Sequence, residues 1–341
     1  MLQQASINLK KSDRKRLLEI VHRFKHAKIL VIGDFILDQF VWGDVRRISP
    51  EAPVPVVNVK RESYIPGGSL NVANNIRSLE GTVYPCGILG RDLEGRMLIK
   101  AVRREGIETG GMIYDRSRPT SVKTRVIAHS QQVVRFDREN IDDVPRQDMQ
   151  KILRFIRKQI AHIDVIIIED YGKGLIQPSL LKVVMKLAKR FCKPVLVDPK
   201  EKHFNYYKGV TALTPNRSEA YAALENGMHT SRRHTRTVDQ VGRALLKKMK
   251  CEAVLITLGE DGMELFEKKG GSTHIPTAAQ EVYDVSGAGD TVIAVFGLAL
   301  AVGATMQDAA VLSNLAAGIV VGKLGTATVQ MQEMKAILEA A

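Results

Sequence analysis

The stretch Asp284-Val285-Ser286-Gly287-Ala288-Gly289-Asp290 opens a long apolar run, Thr291 to Ala304, and this run predicts a buried helix. Small residues at the start of a helix let backbone N–H groups approach an anion, at the end where the helix dipole favours negative charge. Asp290 then stands where it can accept a hydroxyl proton beside a transferring phosphoryl group. Such glycine-rich turns also occur without a ligand, so this prediction depends on the rest of the sequence.

The composition is typical of a folded globular protein, with 45% hydrophobic and 26% charged residues in a chain of 341. The formal net charge is +13, but the basic residues are scattered through many segments. Clusters such as 10–28 lack interleaved aromatic residues, which favours solvated helix faces over a nucleic-acid site. The sequence therefore predicts no nucleic-acid partner, while anionic small substrates fit the charge.

The cysteines and the apolar runs bear on the cellular location of the protein. Cys86, Cys192 and Cys251 are far apart, which suggests neither a zinc site nor a disulfide framework and fits a reducing cytoplasm. The longest apolar run is shorter than the roughly 20 residues that a helix needs to cross a bilayer. The first thirty residues are too charged for a signal peptide. We therefore expect a cytoplasmic protein without a membrane partner.

Apolar, β-branched segments alternate with helical patterns, as in βαβ units around a parallel sheet. The predicted strands are 29–32, 165–168, 194–197 and 253–257. The predicted helices are 71–79, 95–105, 147–160, 178–190, 218–224, 237–249 and 306–322. Two regions, about 40–64 and 111–137, have no helical period and predict antiparallel strands of a lid. An exposed loop is expected at 229–236.

Polar residues follow the predicted strands. Asp34 comes directly after the first strand, and ligands bind outside the carboxyl ends of parallel strands, so Asp34 is predicted to accept hydrogen bonds from substrate hydroxyls. Aspartates at such positions also cap helices. The pair Gly67-Gly68, with Asn71 just beyond it, permits close backbone approach to a ligand, or forms a turn with a helix cap.

Two later segments suit a nucleotide. Asn216 and Glu219 place an amide and a carboxylate on one helical face, which suits the water shell of Mg²⁺ or, alternatively, a helix cap. Thr257, Gly259 and Gly262 belong to a strand followed by a turn that can pass close to a ribose or phosphate. A simple hairpin is the alternative for this segment.

Taken in this order, the segments resemble the ribokinase family of carbohydrate kinases, also called the PfkB family, from about Lys28 to Val329. The resemblance implies one ribokinase-like α/β domain over residues 1–341. Its expected architecture is a three-layer sandwich with a mostly parallel central sheet and a small β-strand lid. The order of the segments is more specific than any one motif.

Within that family, residues 47–56, 119–125, 131–137 and 169–174 resemble the D-glycero-β-D-manno-heptose 7-phosphate kinases. This implies ATP-dependent phosphorylation of the C1 hydroxyl of heptose 7-phosphate to heptose 1,7-bisphosphate, for ADP-heptose and lipopolysaccharide core synthesis. Many relatives are fused to an adenylyltransferase with an H-x-G-H motif. That motif does not occur in this sequence, so no adenylyltransferase domain is expected in it, and the chain is expected to be either a stand-alone kinase or the kinase half of such a bifunctional protein.

The resemblance also implies roles for individual residues. Asp290 is the catalytic base, and the N–H groups of Gly287, Ala288 and Gly289 stabilise the transferring phosphoryl group. The substrate residues are Asp34, Gly67, Gly68, Asn71 and Asp170, with Arg135 and Lys173, backed by Lys123 and Arg125, for the 7-phosphate. Those for ATP and Mg²⁺ are Lys200, Asn216, Glu219, Thr257, Gly259, Gly262, Asn314, Ala317 and Gly318. A K⁺ ion is expected beside Asp284.

Other interpretations remain open. The nearest is another PfkB-type kinase acting on a different sugar or a nucleoside, because the phosphate machinery is shared. An alternative from a different class is a catalytically silent sugar-responsive or nucleic-acid-binding protein on a kinase fold. An NAD-binding Rossmann enzyme fits poorly, since no G-x-G-x-x-G follows the first strand. The β-branched residues of 41–59 predict a homodimer through the lid strands, because a lone lid cannot bury both of its faces.

Overall fold

The structure is a computed structural model that describes residues 10–129, 131–225, 236–279, 281–323 and 325–340. All but the last residue of the loop expected at 229–236 lies outside these ranges. The strands are β1 (Lys28–Gly33), β2 (Phe35–Ile48), β3 (Pro55–Gly68), β4 (Thr82–Gly90), β5 (Gly111–Asp115), β6 (Ser121–Ala128), β7 (Gln131–Arg138), β8 (Val165–Glu169), β9 (Val195–Asp198), β10 (Ala212–Leu213), β11 (Ala253–Thr257), β12 (Met263–Glu267) and β13 (Ser272–Ile275).

The large sheet has the order β13-β12-β11-β10-β9-β8-β1-β4-β5. Its strands pair in parallel, except for β12 and β13, which form an antiparallel edge next to β11. β1 lies between β4 and β8, and the order of strands reverses there. In open α/β sheets the ligand crevice lies outside the carboxyl ends of the strands at such a point, so Gly33 and Asp34 stand at its centre.

Helices cover both faces of this sheet. They are α1 (Lys11–Arg23), α2 (Ser69–Ser78), α3 (Leu93–Arg104), α4 (Arg146–Gln159), α5 (Pro178–Arg190), α6 (Arg217–Leu224), α7 (Val238–Met249), α8 (Ala288–Ala301), α9 (Met306–Val321) and α10 (Met331–Ala340). Alternate residues of β1 enter two separate cores, Ile29 and Val31 with α2, α8 and α9, Leu30 and Ile32 with α4, α5 and α7. The expected three-layer α/β sandwich is confirmed. Among the described residues, no helix is long and apolar enough to span a bilayer.

The second sheet is the lid, with the order β3-β2-β6-β7. β2 and β3 form one antiparallel hairpin, and β6 and β7 form another. The prediction of antiparallel lid strands is wrong where the hairpins meet, because β2 and β6 pair in parallel. It is also wrong for 111–115, since β5 is the parallel edge strand of the large sheet. A short β-branched segment identifies a strand but does not identify its sheet.

Candidate active site

The first turn of α8 carries Asp290, which is only 5% exposed. Gly287 precedes the helix with φ of 81°, a conformation that favours glycine. A Cβ atom at Gly287 would lie 2.6 Å from the Asn71 side-chain nitrogen. The glycine therefore gives Asn71 the room to reach Asp290.

Two donors hold the Asp290 carboxylate. Asn71 Nδ2 donates to Oδ2 at 2.7 Å, and the Tyr171 hydroxyl donates to Oδ1 at 2.8 Å. Burial raises the pKa of Asp290 to about 6, although both hydrogen bonds favour the charged form and lower it. A carboxylate with this pKa is ionised at neutral pH and is basic enough to take a proton from an acidic hydroxyl.

The loop before α8 is shaped for an anion. The Asp284 carboxylate accepts the N–H groups of Ser286 and Gly325, at 2.9 and 3.0 Å. The N–H of Ala288 donates to the Val285 carbonyl at 3.2 Å. Among the described residues, no acceptor is bonded to the N–H groups of Gly287 and Gly289. Two of the three predicted donors are therefore free for a phosphoryl oxygen, and the third is shared with the turn.

Asp34 forms the centre of the crevice. Its Oδ2 atom accepts the N–H groups of Tyr171 and Lys173, both at 3.0 Å. Its Oδ1 atom is buried and has no partner among the described residues. Burial raises the pKa of Asp34 to about 6, with a further contribution from the charge of Asp170. A buried acceptor without a donor is costly, so Oδ1 is suited to a ligand hydroxyl.

Unlike Asp34, Asp170 has a hydrogen-bond partner on each of its two carboxylate oxygens. Its Oδ1 atom accepts the N–H of Gly172 at 2.8 Å, and its Oδ2 atom is bonded to Tyr207 and His203. The hydrogen bond that His203 donates to Asp170 raises the pKa of His203. The structure thus places Asp170 beneath the loop that carries Tyr171 and Lys173, where it fixes the loop's shape.

The face of the lid turned toward this crevice, here called the inner lid face, carries cations. Strand register places Asp38, Lys123 and Asp137 side by side, with Arg125 and Arg135 in the neighbouring row. The Lys123 ammonium lies 4.7 Å from the centre of the Tyr171 ring, which is bonded to Asp290. The inner lid face therefore lies next to the Asp290 carboxylate.

Two cations of the inner lid face, and Lys173 in the loop after β8, already have carboxylate partners. Arg125 is paired with Asp38 at 2.6 Å, Arg135 with Asp137 at 2.6 Å, and Lys173 with Glu139 at 2.6 Å. The Arg135 pair is bidentate and its guanidinium is 47% exposed. Gly67 lies against Asp38 and leaves no room for a side chain there, while Gly68 adopts φ of 59° at the start of α2. The predicted substrate residues thus surround one crevice.

The predicted magnesium residues form a helix cap. Asn216 Oδ1 accepts the N–H of Glu219, and Glu219 Oε2 accepts the N–H of Asn216, which is a capping box at the start of α6. Burial raises the pKa of Asp198 and of Glu169 well above the ordinary range, and the Glu219 charge contributes to both. Lys200 counteracts this effect at Asp198. These carboxyl groups, here called the acidic wall, lie beside the first turn of α8.

The predicted nucleotide residues belong to two segments, the turn after β11 and the helix α9. Thr257 is bridged to Asn216, and Gly259 and Gly262 form the turn that follows it. Asn314 Nδ2 donates to the Pro276 carbonyl at 2.7 Å, and Gly318 packs against Ala278. Ala317, between them, is partly buried against the core. α9 therefore supports the 276–279 loop.

Asp38, Tyr171 and Asp198 also belong to this site, although no role was predicted for them from the sequence. Asp198 ends β9, so the strand-end rule that selected Asp34 applies equally to it. Tyr171 follows β8 within the 169–174 motif. Asp38 lies inside a long lid strand, and no spacing in the sequence indicates that it faces Arg125.

The pfkB family carbohydrate kinase profile matches residues 26–333. The chain therefore belongs to the pfkB family of carbohydrate kinases, as its sequence resemblance predicted. Its match to this family supports a carbohydrate kinase rather than a silent binder.

Similar proteins define the relationship more closely. The chain is 44% identical to the bifunctional protein HldE of Geotalea uraniireducens (strain Rf4), and 45% identical to that of Geobacter metallireducens. Each match covers 94% of this chain and 65% of the relative, so the chain spans about two thirds of their length.

Solved structures share the fold. Escherichia coli phosphofructokinase-2 in complex with potassium matches with a TM-score of 0.74 at 16% identity, over 92% of this chain and 98% of that chain. Arabidopsis thaliana ribokinase complexed with ribose and ATP matches with a TM-score of 0.71 at 20% identity, over 92% and 99%.

Proposed function

We propose that this chain transfers the γ-phosphoryl group of ATP to the C1 hydroxyl of D-glycero-D-manno-heptose 7-phosphate. The product, heptose 1,7-bisphosphate, would serve ADP-heptose and lipopolysaccharide core synthesis. The observation that carries the proposal is the group of cations on the inner lid face, Lys123, Arg125 and Arg135, above the buried carboxylates Asp34 and Asp290. The resemblance of the lid segments to heptose 7-phosphate kinases supports it.

The sugar would bind between these two groups of charges. The unpartnered Asp34 Oδ1 accepts a sugar hydroxyl, and Asp290 faces the C1 hydroxyl. The 7-phosphate, at the far end of the sugar, binds the cations and draws Arg135 and Lys173 from their carboxylate partners. A substrate that carries an anion at one end and an acidic hydroxyl at the other fits this distribution of charge.

Phosphoryl transfer then needs little movement. Asp290 takes the proton of the C1 hydroxyl, whose oxygen forms a bond to the γ-phosphorus while the bond to the β–γ bridging oxygen breaks and ADP leaves. The N–H groups of Gly287 and Gly289 stabilise charge on the γ-phosphoryl oxygens. The lid excludes water that would otherwise hydrolyse ATP.

In this proposal, a magnesium ion would bind at the acidic wall. Mg²⁺ prefers one or two carboxylates together with waters and substrate phosphates. Glu219 and Asp198 supply such carboxylates, and the buried Glu169 Oε2 has no hydrogen-bond partner among the described residues. The ion would offset the charge of the ATP phosphates. A K⁺ ion beside Asp284 belongs to the same proposal, since that carboxylate shapes the anion loop.

Dimerisation through the lid completes the proposal. The outer lid face, opposite the cations, exposes apolar side chains: Tyr64 is 41%, Val134 48% and Phe136 56% exposed. Pairing with a second lid would cover them. A light-scattering mass of two chains at micromolar concentration is expected, and Phe136→Asp should reduce it to one. A monomeric wild type would contradict this part.

The substrate assignment is tested by turnover with ATP and Mg²⁺ on heptose 7-phosphate, fructose 1-phosphate, fructose 6-phosphate, ribose and adenosine. We expect selective use of the heptose, with ³¹P NMR placing the new phosphate at C1. Preference for another acceptor would sink the heptose assignment while leaving the kinase class intact.

A further inference from the structure

We propose that Tyr171 is a positioning residue that holds the Asp290 carboxylate for proton transfer, and that Lys123 of the lid completes this arrangement. The inference rests on the proposed role of Asp290 as the base. Three contacts carry it: one from the Tyr171 main chain, one from its hydroxyl and one across its ring.

Tyr171 joins the two carboxylates of the crevice. Its N–H donates to Asp34 Oδ2 at 3.0 Å, and its hydroxyl donates to Asp290 Oδ1 at 2.8 Å. Asn71 holds the other Asp290 oxygen. With a donor on each oxygen the carboxylate has one favoured orientation, which sets the direction in which its remaining lone pairs meet a hydroxyl.

The hydroxyl of Tyr171 is a dependable donor. Burial raises the pKa of Tyr171 well above its ordinary range, and the charges of Asp290, Glu169 and Asp198 raise it further. The side chain is therefore protonated at neutral pH, and it donates to Asp290 rather than competing with the base for the substrate proton.

Lys123 connects this unit to the lid. Its ammonium lies over the Tyr171 ring, 4.7 Å from the centre, where the ring's negative face attracts a cation. Its charge also lowers the pKa of Asp290. Lys123 belongs to β6, so the position of the lid affects the ionisation of the base. The Asp38 carboxylate, which lies beside Lys123 on the inner lid face, raises the pKa of Asp290, and the Lys123 charge offsets part of this effect.

Tyr171→Phe isolates the hydroxyl, because the ring and the main-chain bond to Asp34 remain. Without that donor the pKa of Asp290 rises, and the acid limb of the kcat profile should move up by about one pH unit. At pH 6 we expect kcat to fall about fivefold, while KM for the sugar changes less than about twofold. Tyr114→Phe, on the edge strand β5, removes a matched hydroxyl and should leave the profile unchanged.

Lys123→Met provides the second variant. It should move the acid limb in the same direction by a smaller amount, roughly half a pH unit, whereas Lys60→Met on β3 should not move it. Thermal unfolding of each variant checks that it is folded. An unchanged acid limb in a folded Tyr171→Phe protein would overturn the inference.

The design separates this inference from the substrate proposal. If the wild type phosphorylates a different sugar, the heptose assignment fails and the same pH profiles, recorded with that sugar, still decide the role of Tyr171. If Asp290→Asn keeps wild-type kcat, Asp290 is not the base and the inference fails with it.

Discussion

Charged groups are arranged differently on the inner lid face and on the floor of the candidate active site, which consists of the buried carboxylates Asp34, Asp170 and Asp290. On the floor, Asp34, Asp170 and Asp290 are at most 5% exposed, and their partners are mainly neutral donors such as backbone N–H groups and tyrosine hydroxyls. On the lid, Arg135 and Asp137 form a partly exposed ion pair. The floor keeps uncompensated negative charge, whereas the lid neutralises its own.

This difference separates chemistry from recognition. Neutral donors fix the floor carboxylates and leave them basic, which suits proton transfer and hydroxyl binding. Exposed ion pairs contribute little to stability, so a phosphate dianion can displace one partner at small cost. We expect substitutions of the floor carboxylates to change kcat and substitutions of the ion-paired lid residues to change mainly KM.

Asp290→Asn should produce the largest effect and tests the floor. The new amide can accept from Asn71 and donate to the Tyr171 oxygen, so the fold should persist while the proton acceptor is lost. General base catalysis contributes roughly 10²- to 10⁴-fold, and we expect kcat to fall by about 10³ with KM nearly constant. Steady-state kinetics measure both constants. A loss of less than tenfold would show that the floor carboxylate is not the base.

Lys173→Met tests recognition at the lid side of the crevice. Lys173 is only 15% exposed and pairs with Glu139, so its loss should raise KM for the sugar phosphate by about tenfold to a hundredfold, the range of a charge-assisted hydrogen bond. Arg135→Gln, at a more exposed site, should raise KM less.

The control for this test is Arg138→Gln. Arg138 lies on β7 but on the opposite face from Arg135, where it pairs with Glu94. It should not change KM. Equal increases for a sugar phosphate and for the same sugar without its phosphate would contradict phosphate binding by Lys173.

The sequence predicted the fold well wherever the hydrophobic period was strong. All seven helices of the predicted set are present with ends within two residues, and α5 has the predicted bounds. β4 was missed because it contains Pro85 and two glycines, which disfavour a strand. Its position between β1 and β5 in the sheet overrides that local preference.

The site was predicted less completely, for a geometric reason. Residues that follow strands were found, since one sheet edge brings them together. Contacts across long sequence distances, such as Tyr171 with Asp290 or Asp38 with Arg125, depend on how the lid and α8 meet the sheet. No spacing in the chain encodes that meeting. For the same reason, the sequence did not predict that Asn71 donates to Asp290 or that Asp170 accepts from Tyr207.

The smallest expected effect is on stability, and it tests whether the buried charge of the floor lowers the free energy of unfolding. Asp34→Asn is isosteric: the amide oxygen can accept both N–H groups that bond to Oδ2, and the amide nitrogen takes the place of the unpartnered Oδ1. The folded-state pKa of Asp34 is about 6, raised by burial from 3.8. Between these values the native state binds more protons than the unfolded state, so stability falls as pH rises through this window.

Above pH 6 the loss is complete, and it amounts to about 1 to 3 kcal/mol at 1.36 kcal/mol per pKa unit. The Asn variant has no such loss, so at pH 7.5 it should unfold at a higher temperature than the wild type, while the two should converge near pH 4. Calorimetry of the ligand-free proteins measures this difference. Asp143→Asn, at an exposed site, is the matched control and should show no pH-dependent gain. If Asp34→Asn were no more stable at pH 7.5 than at pH 4, relative to the wild type, the floor would not be holding costly charge, and the contrast with the lid would rest on exposure alone.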